Sequence, residues 1–202
     1  MEPVDLNTER LLLRVPTHRD VDRIAAICAD PAIAEYTTVP SPYGRGDAEG
    51  FLRHVVVPGW RDASDLTWSI RPADDPRRLL GMVGLNLIRG GSGEVGFWLA
   101  PDARGHRYVD EAVAEVVRFG FARDGMALQR IVWRAYVGNT RSAGVARRAG
   151  FRFEGTTRLG AVQRGRRRDD WSAALLPTDA QEPAAGWPPE TCLLYTSDAA
   201  DE

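Results

Sequence analysis

Apolar and polar positions along this chain follow two rhythms, and the switches between them mark its elements. Arg10 to Val15 reads Arg-Leu-Leu-Leu-Arg-Val, a short apolar strand stopped by Pro16. Val21, Ile24 and Ile27 then recur at the spacing of one helix face, with Thr17 as N-cap and Pro31 as the stop. A second short helix is expected at 32–36 and a loop rich in proline and glycine at 37–46. Asp47 caps a third helix whose apolar stripe is Phe51, Leu52 and Val55, ended or kinked by Pro58 and Gly59.

Strand patterning returns at 66–71, 80–88 and 94–99, and Gly90-Gly91-Ser92-Gly93 joins the last two as a hairpin turn. A phosphate-loop reading of those glycines fails, because no helix follows them. Beyond them the pattern predicts a helix over 108–123 with Gly125 as its C-cap, then a strand at 131–137 and a helix at 139–149. Strands at 151–157 and 170–176 close the sequence of elements. This order predicts one α/β (α+β) domain, a mixed and mostly antiparallel six- to seven-stranded sheet flanked by helices.

Composition narrows the chemistry. The 202 residues are 44% hydrophobic and 27% charged, enough for one soluble domain with a real core. The net charge of −2 gives no bulk electrostatic argument for nucleic acid or an acidic membrane. All 26 basic residues are arginine, which excludes Schiff-base chemistry on a lysine of this chain. No apolar run reaches the roughly 18 residues of a membrane span. The polar start, Met1 to Asn7, does not read as a signal peptide. Cys28 sits among Ile24, Ala25, Ile27 and Ala29 as a buried thiol, in keeping with a cytoplasmic location. His18, His54 and His106 have no partners at metal-ligand spacing, so no metal is expected. The Pro/Ala-rich stretch 177–191 reads as a disordered tail. Residues 192–202 look like a sequencing adapter translated in frame, leaving 8–176 as the domain.

The stretch from Glu94 to Ala112 carries most of the functional information. A buried strand stops at Pro101, turns through Arg104-Gly105 and enters an amphipathic helix. Such a turn aims free backbone N–H groups and the positive end of a helix dipole at one spot, which suits a phosphate. A second block, Gly138 to Gly155, follows with Asn139 at a helix start, where it serves as N-cap.

Together these blocks resemble the GNAT (Gcn5-related) N-acetyltransferase family. The opening Thr8-Glu9-Arg10-Leu11-Leu12-Leu13-Arg14 and the closing Arg168-Asp169-Asp170-Trp171 resemble its bacterial ribosomal-protein branch, the RimJ/RimL type. The resemblance implies that the pantetheine arm of acetyl-CoA lies along Phe97, Trp98 and Leu99, and that Asn139 contacts it. It places the pyrophosphate on Arg104, Gly105, His106, Arg107, Tyr108 and Val109. The family turn reads Arg/Gln-x-x-Gly-x-Gly/Ala, so Arg107 and Val109 stand where small residues are usual.

Transfer to an amine needs a proton acceptor, because amines are largely protonated near neutral pH. Glu94, at the strand start, is the candidate base, and Ser142 is by analogy the donor to the leaving thiolate. Tyr36 and Tyr43 are candidates for the acceptor wall. Arg164 and Arg166 to Arg168 read as a solvated hairpin or as a contact for an acidic acceptor or RNA. The implied reaction transfers acetyl from acetyl-CoA to a primary amine, a protein N-terminus or a small molecule, by direct attack in a ternary complex. A membrane role is not expected, nucleic acid is disfavoured, and the chain is taken as a monomer or homodimer. The alternative is a non-catalytic GNAT-like binding module with a degenerate pyrophosphate turn.

Overall fold

A computed structural model describes residues 1–88 and 90–191. Eight strands form one sheet in the order β1-β2-β3-β4-β5-β6-β8-β7. These are β1 (Leu6–Asn7), β2 (Leu11–Arg14), β3 (Asp65–Pro72), β4 (Gly81–Ile88), β5 (Ser92–Leu99), β6 (Arg130–Tyr136), β7 (Arg152–Gln163) and β8 (Arg166–Leu175). All neighbours pair antiparallel except β5 with β6. The expected mixed sheet is therefore present. It has one strand more than the pattern suggested, because β1 is two residues long and carries too little periodicity to read.

The helices are α1 (Val21–Cys28), α2 (Pro31–Tyr36), α3 (Arg45–Phe51), α4 (Val57–Asp62), α5 (Tyr108–Phe121) and α6 (Thr140–Arg148). The Thr17 N–H donates to the Asp20 carboxylate 2.8 Å away, closing a capping box at the start of the α1 region. Asp20 also pairs with Arg71 of β3 at 2.7 Å, both side chains buried, so α1 is tied to the sheet by a charge pair. Asp47 is not the cap of α3: Gly44 is, and the Asp47 carboxylate accepts the Gly44 N–H from the third helical position. Pro58 does not end the helical run either. A π-turn at Leu52–Val56 shifts the hydrogen-bond frame just ahead of it, so the missing proline N–H falls at the start of α4.

Trp60, Trp68, Trp133 and Trp171 are buried, while Trp98 is half-buried. The stretch at 177–191 departs from the expected disorder. Trp187 is buried, stacks obliquely on Trp133 and Phe153, and donates its indole N–H to the Phe151 carbonyl at 3.1 Å. One large aromatic finding a pocket outweighs a composition that is otherwise poor in core-forming residues. The adapter-like residues 192–202 lie outside the described residues. Among the described residues, no helix is long and apolar enough to cross a membrane.

Candidate functional site

The site is an interruption in the sheet. β5 and β6 run in parallel register from Ser92 opposite Arg130 to Val95 opposite Trp133, and there the ladder stops. β5 continues to Leu99 against β4, and β6 continues to Tyr136 against β8, so the two strands diverge. Gly96 to Leu99 and Arg134 to Tyr136 face a wedge with no strand between them. Backbone polar groups in a sheet interior ordinarily pair, so an open edge of this length is a ready partner for an extended, amide-bearing ligand. Gly96, next to the vertex of the wedge, has nothing within 4 Å of where a side chain would begin.

At one end of the wedge lies the turn before α5. The first helical bond runs from the Glu111 N–H to the Arg107 carbonyl, which leaves the N–H groups of Tyr108, Val109 and Asp110 as the orphan donors of the helix start. Gly105 has a φ of 83° and open space around it. Arg107 has a φ of 55°, the left-handed region that favours glycine, which explains why the family prefers a small residue there. Its side chain is exposed and forms no ion pair among the described residues. Val109 points the other way, into the core.

Arg104 is engaged elsewhere: its guanidinium pairs with Asp30 at 3.2 Å and donates to the Leu99 carbonyl at 3.4 Å. It braces the turn. His106 stacks on Tyr108 with ring centroids 5.3 Å apart, and Arg10 covers the Tyr108 ring. Arg10 and the Thr8 hydroxyl both donate to Glu111, fastening the turn between β1 and β2 to the start of α5.

Across the wedge, α6 begins as expected: the Asn139 side chain caps it, accepting the Ser142 N–H at 3.3 Å. Ser142 is half-buried, and its Oγ accepts the Trp133 indole N–H at 3.0 Å. Glu94 lies on the same strand as the wedge, in register with Asn86 of β4 and Val132 of β6. With Asp65, Gly84, Asn86 and Gly96 it lines a depression of about 300 Å³. Burial pushes the Glu94 carboxyl above its ordinary value; Arg134, 4.0 Å away, opposes this, and Asp170 adds to it.

Asp65, which the sequence reading did not single out, sits two strands from Glu94, about 9.6 Å by sheet spacing. Burial raises its carboxyl too, despite hydrogen bonds from Thr67 and Asn86. Its only sequence signal was a polar residue at the first position of a strand. Asp170 is buried on β8, and its Oδ1 has no hydrogen-bond partner among the described residues.

The two tyrosines part company. The Tyr36 hydroxyl lies beside Gly138, just ahead of α6. Tyr43 lines a separate cavity of about 400 Å³ with Cys28, Pro31, Ser41 and Arg164. Burial pushes the Cys28 thiol up to about 12, so this cysteine is an unreactive core residue. The arginine run is largely occupied by the protein itself. Arg164 donates to the carbonyls of Ala34 and Val39, and Arg168 to that of Glu35. Between them Gln163 donates to Ala34, Glu35 and Thr37. Among the described residues, no group of three or more His, Cys, Asp or Glu is placed to hold a metal.

Residues 10–152 match the profile of a family described as "Acetyltransferase (GNAT) domain". A curated relative, the uncharacterized N-acetyltransferase YoaA of Bacillus subtilis (strain 168), is 24% identical over 162 residues, 79% of this chain and 89% of the relative. Among solved structures, Mycobacterium smegmatis RimJ in complex with a CoA disulfide aligns with a TM-score of 0.75 at 20% identity, over 88% of this chain and 90% of that one. RimL, a ribosomal L7/L12 α-N-protein acetyltransferase in complex with coenzyme A, aligns with a TM-score of 0.75 at 17% identity, over 86% and 98%. At these identities the two structures speak for the fold.

Proposed function

This chain belongs to the GNAT acetyltransferase family, and we propose that its wedge holds acetyl-CoA while a primary amine attacks the thioester directly. The observation that carries this reading is the parting of β5 and β6 after Val95 and Trp133. It leaves an extended backbone edge pointing at the donor-rich start of α5, a layout that suits an amide-bearing arm ending in a pyrophosphate. RimL and RimJ, which share the fold, are described with coenzyme A or its disulfide.

In this reading Gly96 to Leu99 hold the pantetheine arm, and a backbone N–H of that stretch, on the side toward Glu94, stabilises the oxyanion. The N–H groups of Gly105 to Asp110 hold the pyrophosphate, with Arg107 free to add a charge-assisted contact. Glu94 accepts a proton from the incoming ammonium, directly or through water. Its raised carboxyl value brings it closer to the working pH than an ordinary glutamate. Ser142 returns a proton to the leaving sulfur. The carboxylates of Asp65 and Glu94 in one depression favour an acceptor that arrives as a cation. The acceptor we propose is a protein α-amine or a small amine, met in the cytoplasm.

Calorimetry with acetyl-CoA and assay of free coenzyme A release, across N-terminal peptides and amines, test this together. Wild-type protein binds and turns over. Glu94→Gln binds acetyl-CoA unchanged and loses about a hundredfold in kcat. Absence of acetyl-CoA binding by folded protein would favour the non-catalytic binding module instead.

A further inference from the structure

The hydroxyl of Ser142 is itself held in place, and the residues that hold it lead to the C-terminal segment. Trp133 is the last β6 residue in register with β5, so it stands at the vertex of the wedge. Its indole is fully buried, and a buried N–H needs an acceptor. That acceptor is Ser142 Oγ at 3.0 Å, while the Ser142 backbone N–H is fixed by Asn139. A serine oxygen that accepts the indole N–H keeps its own proton for another partner, and the accepted bond makes that proton easier to give.

Behind Trp133 stands Trp187, ring centroids 5.5 Å apart, with its own indole N–H bonded to the Phe151 carbonyl. The same segment holds α6 from its far end, where the Ala184 N–H donates to the Arg147 carbonyl at 3.2 Å. Its closing turn, Pro189–Thr191, also packs on α6. Both the ring that donates to Ser142 and the helix that carries Ser142 are therefore backed by residues 184–191.

We propose that Trp133 is a positioning residue for Ser142 as proton donor to the leaving thiolate, and that Trp187 is its buttress. The proposal rests on the assignment of Ser142 made above. In the step concerned, the ammonium first loses one proton through Glu94 to solvent; the neutral nitrogen then bonds to the acetyl carbon, and the second proton it sheds passes to the freed Glu94 carboxylate. The C–S bond breaks, the sulfur takes the Ser142 proton, and Ser142 is reprotonated from solvent. Trp133 gives up no proton; it fixes the direction of the Ser142 O–H.

Trp133→Phe removes the donor and keeps a ring. Its expected result is a loss of about tenfold in kcat with the acetyl-CoA KM changed less than about twofold. In a Ser142→Ala background, the same substitution changes kcat by less than about twofold, because the group it positions is gone. Equal losses in both backgrounds, or none in either, overturn the proposal. Wild-type kcat in Ser142→Ala overturns the assignment of Ser142 and the proposal with it. A slow Ser142→Ala beside an unimpaired Trp133→Phe overturns the Trp133 proposal alone. If Trp133→Phe fails to fold, Trp187→Leu carries the test, since it leaves the indole donor in place but unsupported. The expected loss is then about threefold in kcat, again dependent on Ser142; unchanged kcat in folded Trp187→Leu overturns the proposal.

Discussion

Two residues test the electrostatics of the site at the finest scale. Glu94 must be ionised to accept a proton, and burial raises its carboxyl while Arg134 holds it down. Removing that cation leaves burial and Asp170 unopposed. Arg134→Gln is therefore expected to move the acid limb of the kcat–pH profile to higher pH; an unchanged limb would mean that Glu94 is not the group seen there. Arg107 pulls two properties in opposite directions. Its φ of 55° is strained for arginine, so Arg107→Gly should stabilise the fold by about 1 kcal/mol, read as a higher denaturation midpoint. The same change removes a free cation beside the helix start and should weaken acetyl-CoA binding, most at low salt. A gain in both would show that Arg107 obstructs the phosphate.

Among the elements, the β7–β8 hairpin shows how far charge alone misleads. As a sequence, four arginines in five residues invite an RNA or acidic-ligand reading. In the fold, Gln163, Arg164 and Arg168 satisfy the carbonyls at the end of α2 and in the loop after it, which a six-residue helix cannot satisfy itself. The hairpin is thereby latched over the segment that carries Tyr36. Gln163 is the centre of the latch, donating to three carbonyls. Gln163→Ala is expected to cost about 1–3 kcal/mol in urea unfolding and to raise the acceptor KM without changing that for acetyl-CoA. A rise in the acetyl-CoA KM instead would place the latch on the wrong side of the wedge.

At the scale of the whole molecule, the C-terminal segment closes the core. Trp187 covers Trp133 and Phe153, so ending the chain after Leu176 uncovers buried aromatic surface at the sheet and beneath α6. Loss of a buried tryptophan costs about 3–5 kcal/mol, and chemical denaturation of the truncated chain should show at least that. A midpoint equal to the full chain's would mean that the segment does not pack in solution.

Local signals were enough for much of this. Alternation and helical spacing placed most strands and helices within a few residues, because period and caps are properties of neighbours in the chain. The same signals located Asn139 as a cap and the Arg104-Gly105 turn ahead of a helix, for each is built from consecutive residues. What local pattern did not hold was anything made by distant segments meeting. The pairing of Arg104 with Asp30 and the burial of Trp187 both depend on contacts far apart in sequence. The wedge itself belongs to this second class. β5 and β6 each read as complete strands, and only their twist away from each other after Val95 and Trp133 opens the space between them. Sequence determined the strands, the turn and the candidate base; tertiary structure decided that β5 and β6 part, because strand pairing is settled between segments and not within them.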